Sequence, residues 1–409
     1  MLSGKRIRPV DGLIITHGLS SFCLGLVFPY TAIYLSGKPG IGTAGVALFY
    51  ACTGTANLVV ALLLSTGLIK VGRVPLGVLG TLLWFVGYLL LPMVDNYPGL
   101  VAAAVCIGTG QAAFLAAIIP IVNSLVTAEE RRAVFARRYM VLNGTLALGS
   151  LTGGLLITVL PSSVIPTYFL VNAVGMLPVG IAMLMVRRHV RAHAEESAQA
   201  DHGAPMPVLR LWKVALPAAL FQLAVYLFGF SQLEATAPLV SVNLMGLGLS
   251  AVSLLLVVNV IVIVGAQRFV TRLLQARSEV FGLCLGAALW VLAYVVVGLP
   301  ASAPHGWQLA GLLGFAVLFG LGECAYSCSF HPWLISMVPD HELARANALA
   351  NSMMGIGNFM GPSIGIGLAL SGNATVVWLG LGASCGFVTV AMGVLAAKRT
   401  AKLALAAQA

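Results

Sequence analysis

The sequence predicts an all-α integral membrane protein, with twelve transmembrane helices in two pseudo-symmetric six-helix bundles. Three observations predict it. Of 409 residues, 59% are hydrophobic and 8% charged, with a mean hydropathy of +1.00. Soluble domains carry about 25% charged residues. The apolar residues fall into twelve runs, each near the ~20 residues that a helix needs to cross a bilayer. The basic residues then alternate between connections, 21 of the 22 lying in every second one counted from the N-terminus.

Six runs cover 12–35, 43–68, 75–94, 99–126, 139–160 and 165–186. Six more cover 213–240, 249–270, 279–299, 307–337, 346–370 and 374–397. Strands of a membrane barrel would be alternating segments of about 10 residues, and these runs are longer and uniformly apolar. The first run follows the basic segment Met1 to Arg8, as a signal peptide would. It exceeds the roughly 7–15 residues of a signal core and lacks a small-residue cleavage site, so an uncleaved first helix is expected.

The basic loops begin with Lys5, Arg6 and Arg8, continue through Lys70 and Arg73, and end with Lys398, Arg399 and Lys402. The opposite set holds only Lys38. Basic loops stay inside, so both termini are expected on the cytoplasmic face of the cell membrane. The formal net charge of +10 is then a topology signal, and nucleic acid is not an expected partner. All seven cysteines fall within the runs, which argues against a disulfide framework and for small apolar packing roles.

The one sizeable polar interior stretch is "VRRHVRAHAEESAQADHGAPMPVLR", Val186 to Arg210. Its composition reads as a flexible cytoplasmic linker. The expected domains are residues 1–186, a linker over 187–212, and residues 213–409. The halves echo one another. "GLVFPYTAIYLSG" in the first run matches "EATAPLVSVNLMG" in the seventh, with Pro29 and Pro238 separated by 209 residues. "GSLTGG" in the fifth matches "GPSIGI" in the eleventh, with Gly149 and Gly361 separated by 212. Internal repeats of this kind mark secondary transporters, whose binding sites lie near mid-membrane between the repeats.

Further local motifs extend the pattern. The loop after the second run reads "STGLIKVGRVP", and the fourth run holds "LVAAAVCIGTG". With "GSLTGG" and the 6 + 6 layout, the chain resembles the major facilitator superfamily over essentially its full length. It looks most like the twelve-span drug/proton antiporter branch. The family's loop signature is kept at Lys70, Gly72 and Arg73, while Ile69 stands where an Asp is usual. The fourth run keeps Gly108 and Gly110 but has Ala104 in the Arg position, and Ser150 replaces a Pro in the fifth. The resemblance implies secondary active transport, with proton-coupled efflux of a small amphipathic or antibiotic-like compound by alternating access. The expected partners are that compound, protons and the lipid bilayer, with the chain acting as a monomer and needing no cofactor. No nucleophile–base pair points to an enzyme. Uptake of a neutral metabolite, or a non-transporting receptor on the same fold, are the alternatives.

Two carboxylates stand out, Glu323 in the tenth run and Glu234 in the seventh. An ionised side chain at the bilayer centre costs about 2.5–3.5 kcal/mol, so such residues pair, line cavities or function. A carboxyl that exchanges its proton as the cavity alternates is what proton coupling requires. A potential of about 100 mV supplies roughly 2.3 kcal/mol per charge moved. Glu323 is therefore the expected proton carrier, with Glu234 a second carrier or a contact for cations.

Polar residues at membrane depth should face a neighbouring helix or the cavity. Tyr30, Gln111, Asn143, Gln232, Asn259, Asn351, Asn358 and His331 are the candidate cavity residues. Asn347, Asn351 and Asn358 share one helical face. Cys324, Cys328 and His331 also share a face, but one span supplies too few ligands to predict a metal site. No Arg is expected deep in any span, which disfavours anionic cargo. Lys70, Gly72, Arg73 and Arg345 should form a cytoplasmic gate, with Gly72 supplying a turn of positive φ. Gly149/Gly153 and Gly361/Gly365 should let helices approach closely, and Pro362 should soften the eleventh span.

Overall fold

The computed structural model describes residues 8–69, 71–159, 164–200 and 206–406. Lys70 and linker residues 201–205 lie outside the described residues. The first span is α1 (Pro9–Val27), a 3₁₀ turn at Phe28–Tyr30 and α2 (Thr31–Ser36). Then come α3 (Gly42–Thr66), α4 (Arg73–Leu90), α5 (Tyr97–Asn123), α6 (Arg131–Val159), α7 (Ile165–Met185) and α8 (Arg187–Ala200). The seventh span joins α9 (Val208–Val225) to α10 (Ala237–Asn243) through two π turns. It is followed by α11 (Leu249–Leu274), α12 (Glu279–Gly298), α13 (His305–Met337), α14 (Leu343–Ala369) and α15 (Ala374–Ala406).

Among the described residues, eleven helices are long and apolar enough to cross a membrane. The remaining predicted span, α14, is 27 residues long; its asparagines, Arg345 and glycines dilute the apolar run. Helix starts follow local chemistry. Asn96 Oδ1 accepts from Gly99 N–H at 2.9 Å and Ser278 Oγ from Phe281 N–H at 3.2 Å, capping α5 and α12. Prolines break the first and seventh spans at matching places. Pro238 lacks an N–H and its ring would strike the carbonyl four residues back. The π turns Tyr226–Phe230 and Gln232–Thr236 precede it and widen the helix there.

Residues 187–200 of the linker are helical where a flexible segment is expected. Ala, Arg, Glu and Gln are strong helix formers, and Val186 and Val190 are buried, so α8 gains both propensity and an anchored face.

The chain divides into two compact units. One holds the residues up to Val134, Arg138–Ala215 and Met337–Ser352; the other holds Phe135–Arg137, Leu216–Ser336 and the residues from Met353 onward. In lipid, helices associate through close packing and interhelical hydrogen bonds rather than water release. Within the first unit, α4 packs along α5 and α7, α3 along α5, and α1 along α7. Helix α1 also meets α6, where Ser21 Oγ donates to Leu142 O at 2.8 Å and Ser150 Oγ to Gly25 O at 3.1 Å. Within the second unit, α12 packs along α15, and Trp290, Tyr294, Phe315, Phe319 and Trp378 are fully buried.

The repeat seen in the sequence is a repeated helix crossing. A Cβ on Gly149 of α6 would strike the carbonyl oxygen of Phe22, while one on Gly361 of α14 would strike the hydroxyl of Ser231. Phe22 and Ser231 are 209 residues apart, the spacing of Pro29 and Pro238. Gly153 and Gly365 continue the two contacts, against Leu26 and against Thr236 with Gln232.

Candidate functional site

The second unit gathers its acid and aromatic groups around α13. Glu323 lies just past the midpoint of this 33-residue helix and is 3% exposed. Asn259 of α11, itself buried, donates from Nδ2 to Glu323 Oε1 at 3.1 Å. The same two helices are joined further along. Gln267 Nε2 donates to Cys324 O at 3.2 Å, and Ser327 Oγ donates to Gln267 Oε1 at 3.1 Å. These bonds fix the face that α13 turns toward α11, and with it the direction of Glu323. Tyr226, in the first π turn, lies within electrostatic range of both Glu323 and Glu234. Glu234 belongs to the second π turn and is exposed on the isolated chain.

An aromatic wall stands beside this acid. Phe230 lies 4.8 Å from Tyr226, 5.6 Å from Tyr326 and 5.6 Å from Trp290, centroid to centroid. Tyr326 donates its hydroxyl proton to Gln222 Oε1 at 2.6 Å, which holds the ring in place. A carboxyl held by a neutral amide, next to π faces, can exchange a proton and offers apolar surface to an amphipathic solute.

The other sequence candidates have varied surroundings. Gln232 is fully buried; its amide donates to Leu227 O and to Gly361 O at 2.7 Å, and it accepts from Thr236, so it joins the π segment to α14. Asn143 Nδ2 donates to Tyr139 O at 3.0 Å within its own helix. Tyr30 packs near Tyr168, whose hydroxyl donates to Gly153 O at 3.0 Å. Gln111 is half-buried. Asn351 is buried in the first unit with its Nδ2 unpartnered, whereas Asn358 is exposed in the second. The expected stripe along α14 is thus divided between environments. His331 stacks near Phe135 at 5.2 Å. Cys324 and Cys328 direct their thiols at the carbonyls of Ile263 and Ala325, and among the described residues no group of three His, Cys, Asp or Glu is placed to hold a metal.

At the end that carries the basic loops, the gate candidates Arg73 and Arg345 both enter a polar cluster of the first unit. Arg73 binds the Asp340 carboxylate at 2.6 Å and also its carbonyl oxygen. Asp340 further accepts from Asn123 Nδ2 at 3.1 Å and lies 3.8 Å from His193 Nε2 of α8. The carboxylate missing at Ile69 is supplied by Asp340, 267 positions after Arg73. Arg345 donates to Ser65 O and Thr66 O, the closing carbonyls of α3, and to Glu342 Oε2 at 2.7 Å. Glu342 is 1% exposed and also accepts from Met206 N–H at 2.6 Å, so the end of the linker is tied to the same cluster. One expectation is corrected. Gly72 has φ −61° and starts α4 in an extended conformation that any residue adopts; the left-handed residue is Gly67, φ +75°, which closes α3. The positive φ falls there because a helix end, rather than the following helix start, calls for the left-handed turn.

Sequence reasoning missed a basic group inside the first unit. The hydropathy pattern starts the fifth span after Arg138, but α6 begins at Arg131, and the stretch long and apolar enough to cross a membrane runs from Arg131 to Leu156. Arg138 is 8% exposed. A buried Arg thus belongs to this helix, because "RRAVFARRYM" is polar yet helical and extends α6 backward. A signal was present: Arg138 follows the apolar Val134 and Phe135 at helical spacing. Beside it, His17 of α1 is within electrostatic range. In the fourth span, where the antiporter pattern has an Arg, Ala104 is fully buried.

A two-part chain of long apolar helices with buried polar groups defines a multi-pass membrane protein. The Major Facilitator Superfamily profile matches residues 13–316, and the chain belongs to that family. Its solved neighbours are transporters rather than enzymes. A bacterial homologue of the iron transporter ferroportin, in the outward-facing state, aligns with TM-score 0.74 at 13% identity, covering 95% of this chain and 100% of that one. The human organic anion transporter MFSD10 aligns with TM-score 0.68 at 14% identity, covering 94% and 99%. The proton:xylose symporter XylE aligns with TM-score 0.69 at 12% identity, covering 94% and 95%. These likenesses describe the fold. The curated proteins contain no match to this sequence.

Proposed function

We propose that the protein is a proton-coupled efflux transporter of a small amphipathic compound, working by alternating access of two six-helix halves in the cell membrane. The basic loops and both termini face the cytoplasm. Glu323 is the proton carrier, Glu234 a second acidic contact at the widened seventh span, and the aromatic group around Phe230 receives the apolar part of the cargo. The observation that carries this reading is the burial of Glu323 against the amide of Asn259. An amide accommodates the carboxyl in either protonation state, as it can donate to one and accept from the other. The cluster of Arg73, Asp340, Glu342 and Arg345 acts as the cytoplasmic gate.

Purified protein in liposomes tests the coupling. Wild-type flux of a lipophilic fluorescent dye should follow an imposed pH gradient and reverse with it if the mechanism is antiport. In Glu323→Gln the gradient-driven flux should vanish while dye exchange down its own gradient persists. Undiminished pH-driven flux in that variant removes Glu323 from the mechanism. A gradient response of the opposite sign would make the protein an importer.

A further inference from the structure

We infer that Arg138 and His17 form an oxyanion-binding site inside the first unit, a site for a carboxylate, sulfonate or phosphate group. Both residues begin from the same end of the bundle. His17 is the ninth residue of α1 and Arg138 the eighth of α6, which sets them at about 12 and 10 Å along their helices at 1.5 Å per residue. Helices α1 and α6 touch at that level: a Cβ on Gly18 would come 2.7 Å from Val141. The pair therefore shares one depth and one crossing.

Neither residue is satisfied. Arg138 makes no hydrogen bond or ion pair among the described residues, and its buried Nε has no partner. His17 presents a buried Nδ1 that is likewise unpartnered, its ring set edge-on to Phe114 at 4.9 Å. The carboxylates of this unit that have described partners are engaged elsewhere: Glu130 with Arg8, Asp340 with Arg73, Glu342 with Arg345. A guanidinium cannot shed its charge, and an uncompensated charge away from water is strongly disfavoured. A planar guanidinium beside an imidazole donor matches the two oxygens of a carboxylate or the oxygens of a phosphate.

As a description of the cargo this rests on the transport reading above, but its test needs no gradient. Binding of radiolabelled salicylate, with its neutral amide salicylamide as control, is measured on the full chain in phosphatidylcholine nanodiscs. Wild type should prefer salicylate, and Arg138→Gln should weaken salicylate by about tenfold or more while leaving salicylamide unchanged. Arg138→Lys should recover part of the loss, and His17→Gln should show a smaller one. If Arg138→Gln fails to fold, the His17→Gln and Arg138→Lys ratios decide. Equal loss for both probes, or no preference for salicylate together with no change on adding lipid anion, overturns the site. Repeating the measurement with phosphatidylglycerol in the nanodisc separates the sources. Displacement of salicylate assigns the oxyanion to a lipid headgroup, and undisturbed binding assigns it to a solute. Failure of pH-driven flux in the liposome experiment would leave this binding result standing.

Discussion

The same helix crossing is built twice, once in each unit, and the two copies have diverged in opposite directions. In the first unit α1 meets α6 through Gly149, and two basic residues with unpartnered buried nitrogens, His17 and Arg138, lie beside that crossing. In the second, the seventh span meets α14 through Gly361, the helix is widened by π turns, and the polar groups are Glu323, Glu234 and Tyr226. Tyr226 stands 209 positions after His17, and Glu323 stands 212 after Gln111, the offsets of the repeat itself. Both crossings use glycine, since contact this close admits no side chain.

The largest effect separating the units should come from Arg345, which belongs by sequence to the second half but packs in the first unit. Arg345→Ala leaves buried Glu342 without its guanidinium and should destabilise by about 3–5 kcal/mol. Arg73→Ala should cost less, since Asp340 keeps Asn123 and its side chain is 17% exposed. Unfolding temperatures followed by size-exclusion chromatography after heating would rank the two. Equal losses would show that burial of Glu342 is not what matters.

The glycine crossings give the next test. Gly149→Ala meets a backbone oxygen, whereas Gly361→Ala first meets the Ser231 hydroxyl, which can be removed, and then the Ser231 Cβ at 2.8 Å. Each should cost about 1–3 kcal/mol, and only the second should be rescued in part by adding Ser231→Ala, whose Cβ stays in contact. Rescue of neither, or of both by changes in side chains alone, would break the distinction drawn between the copies.

A smaller effect is expected at the polar bonds between helices. Asn259→Ala should destabilise by about 1 kcal/mol and lower gradient-driven flux. Ser21→Ala, which loses one bond to Leu142 in the first unit, should change stability as little or less with flux intact. A flux loss in Ser21→Ala equal to that in Asn259→Ala would remove the special status of the acid site. At the bottom of the scale is the exposed pair Arg8–Glu130, with side chains 51% and 37% exposed. Its proximity to Glu130 holds the Arg8 guanidinium above its ordinary pKa, yet solvent screens the attraction. Arg8→Gln should leave the unfolding temperature unchanged at any salt concentration.

Hydropathy and the alternation of basic loops are sufficient, read one residue at a time, to define the membrane class and a helix count close to the eleven membrane-length helices among the described residues. They also singled out Glu323, because a lone carboxylate in an apolar run is conspicuous without any knowledge of its neighbours. Partnerships were not legible. Arg73 meets Asp340 across 267 residues, Asn259 meets Glu323 across 64, and Gln232, by type a cavity residue, is consumed by helix packing. The linker's helix, the left-handed turn at Gly67 in place of Gly72, and the burial of Arg138 were also settled by the fold. The reason is physical: transfer from water to lipid is a property of each side chain, whereas satisfying a charge or an amide depends on which groups the packed helices bring within about 3 Å.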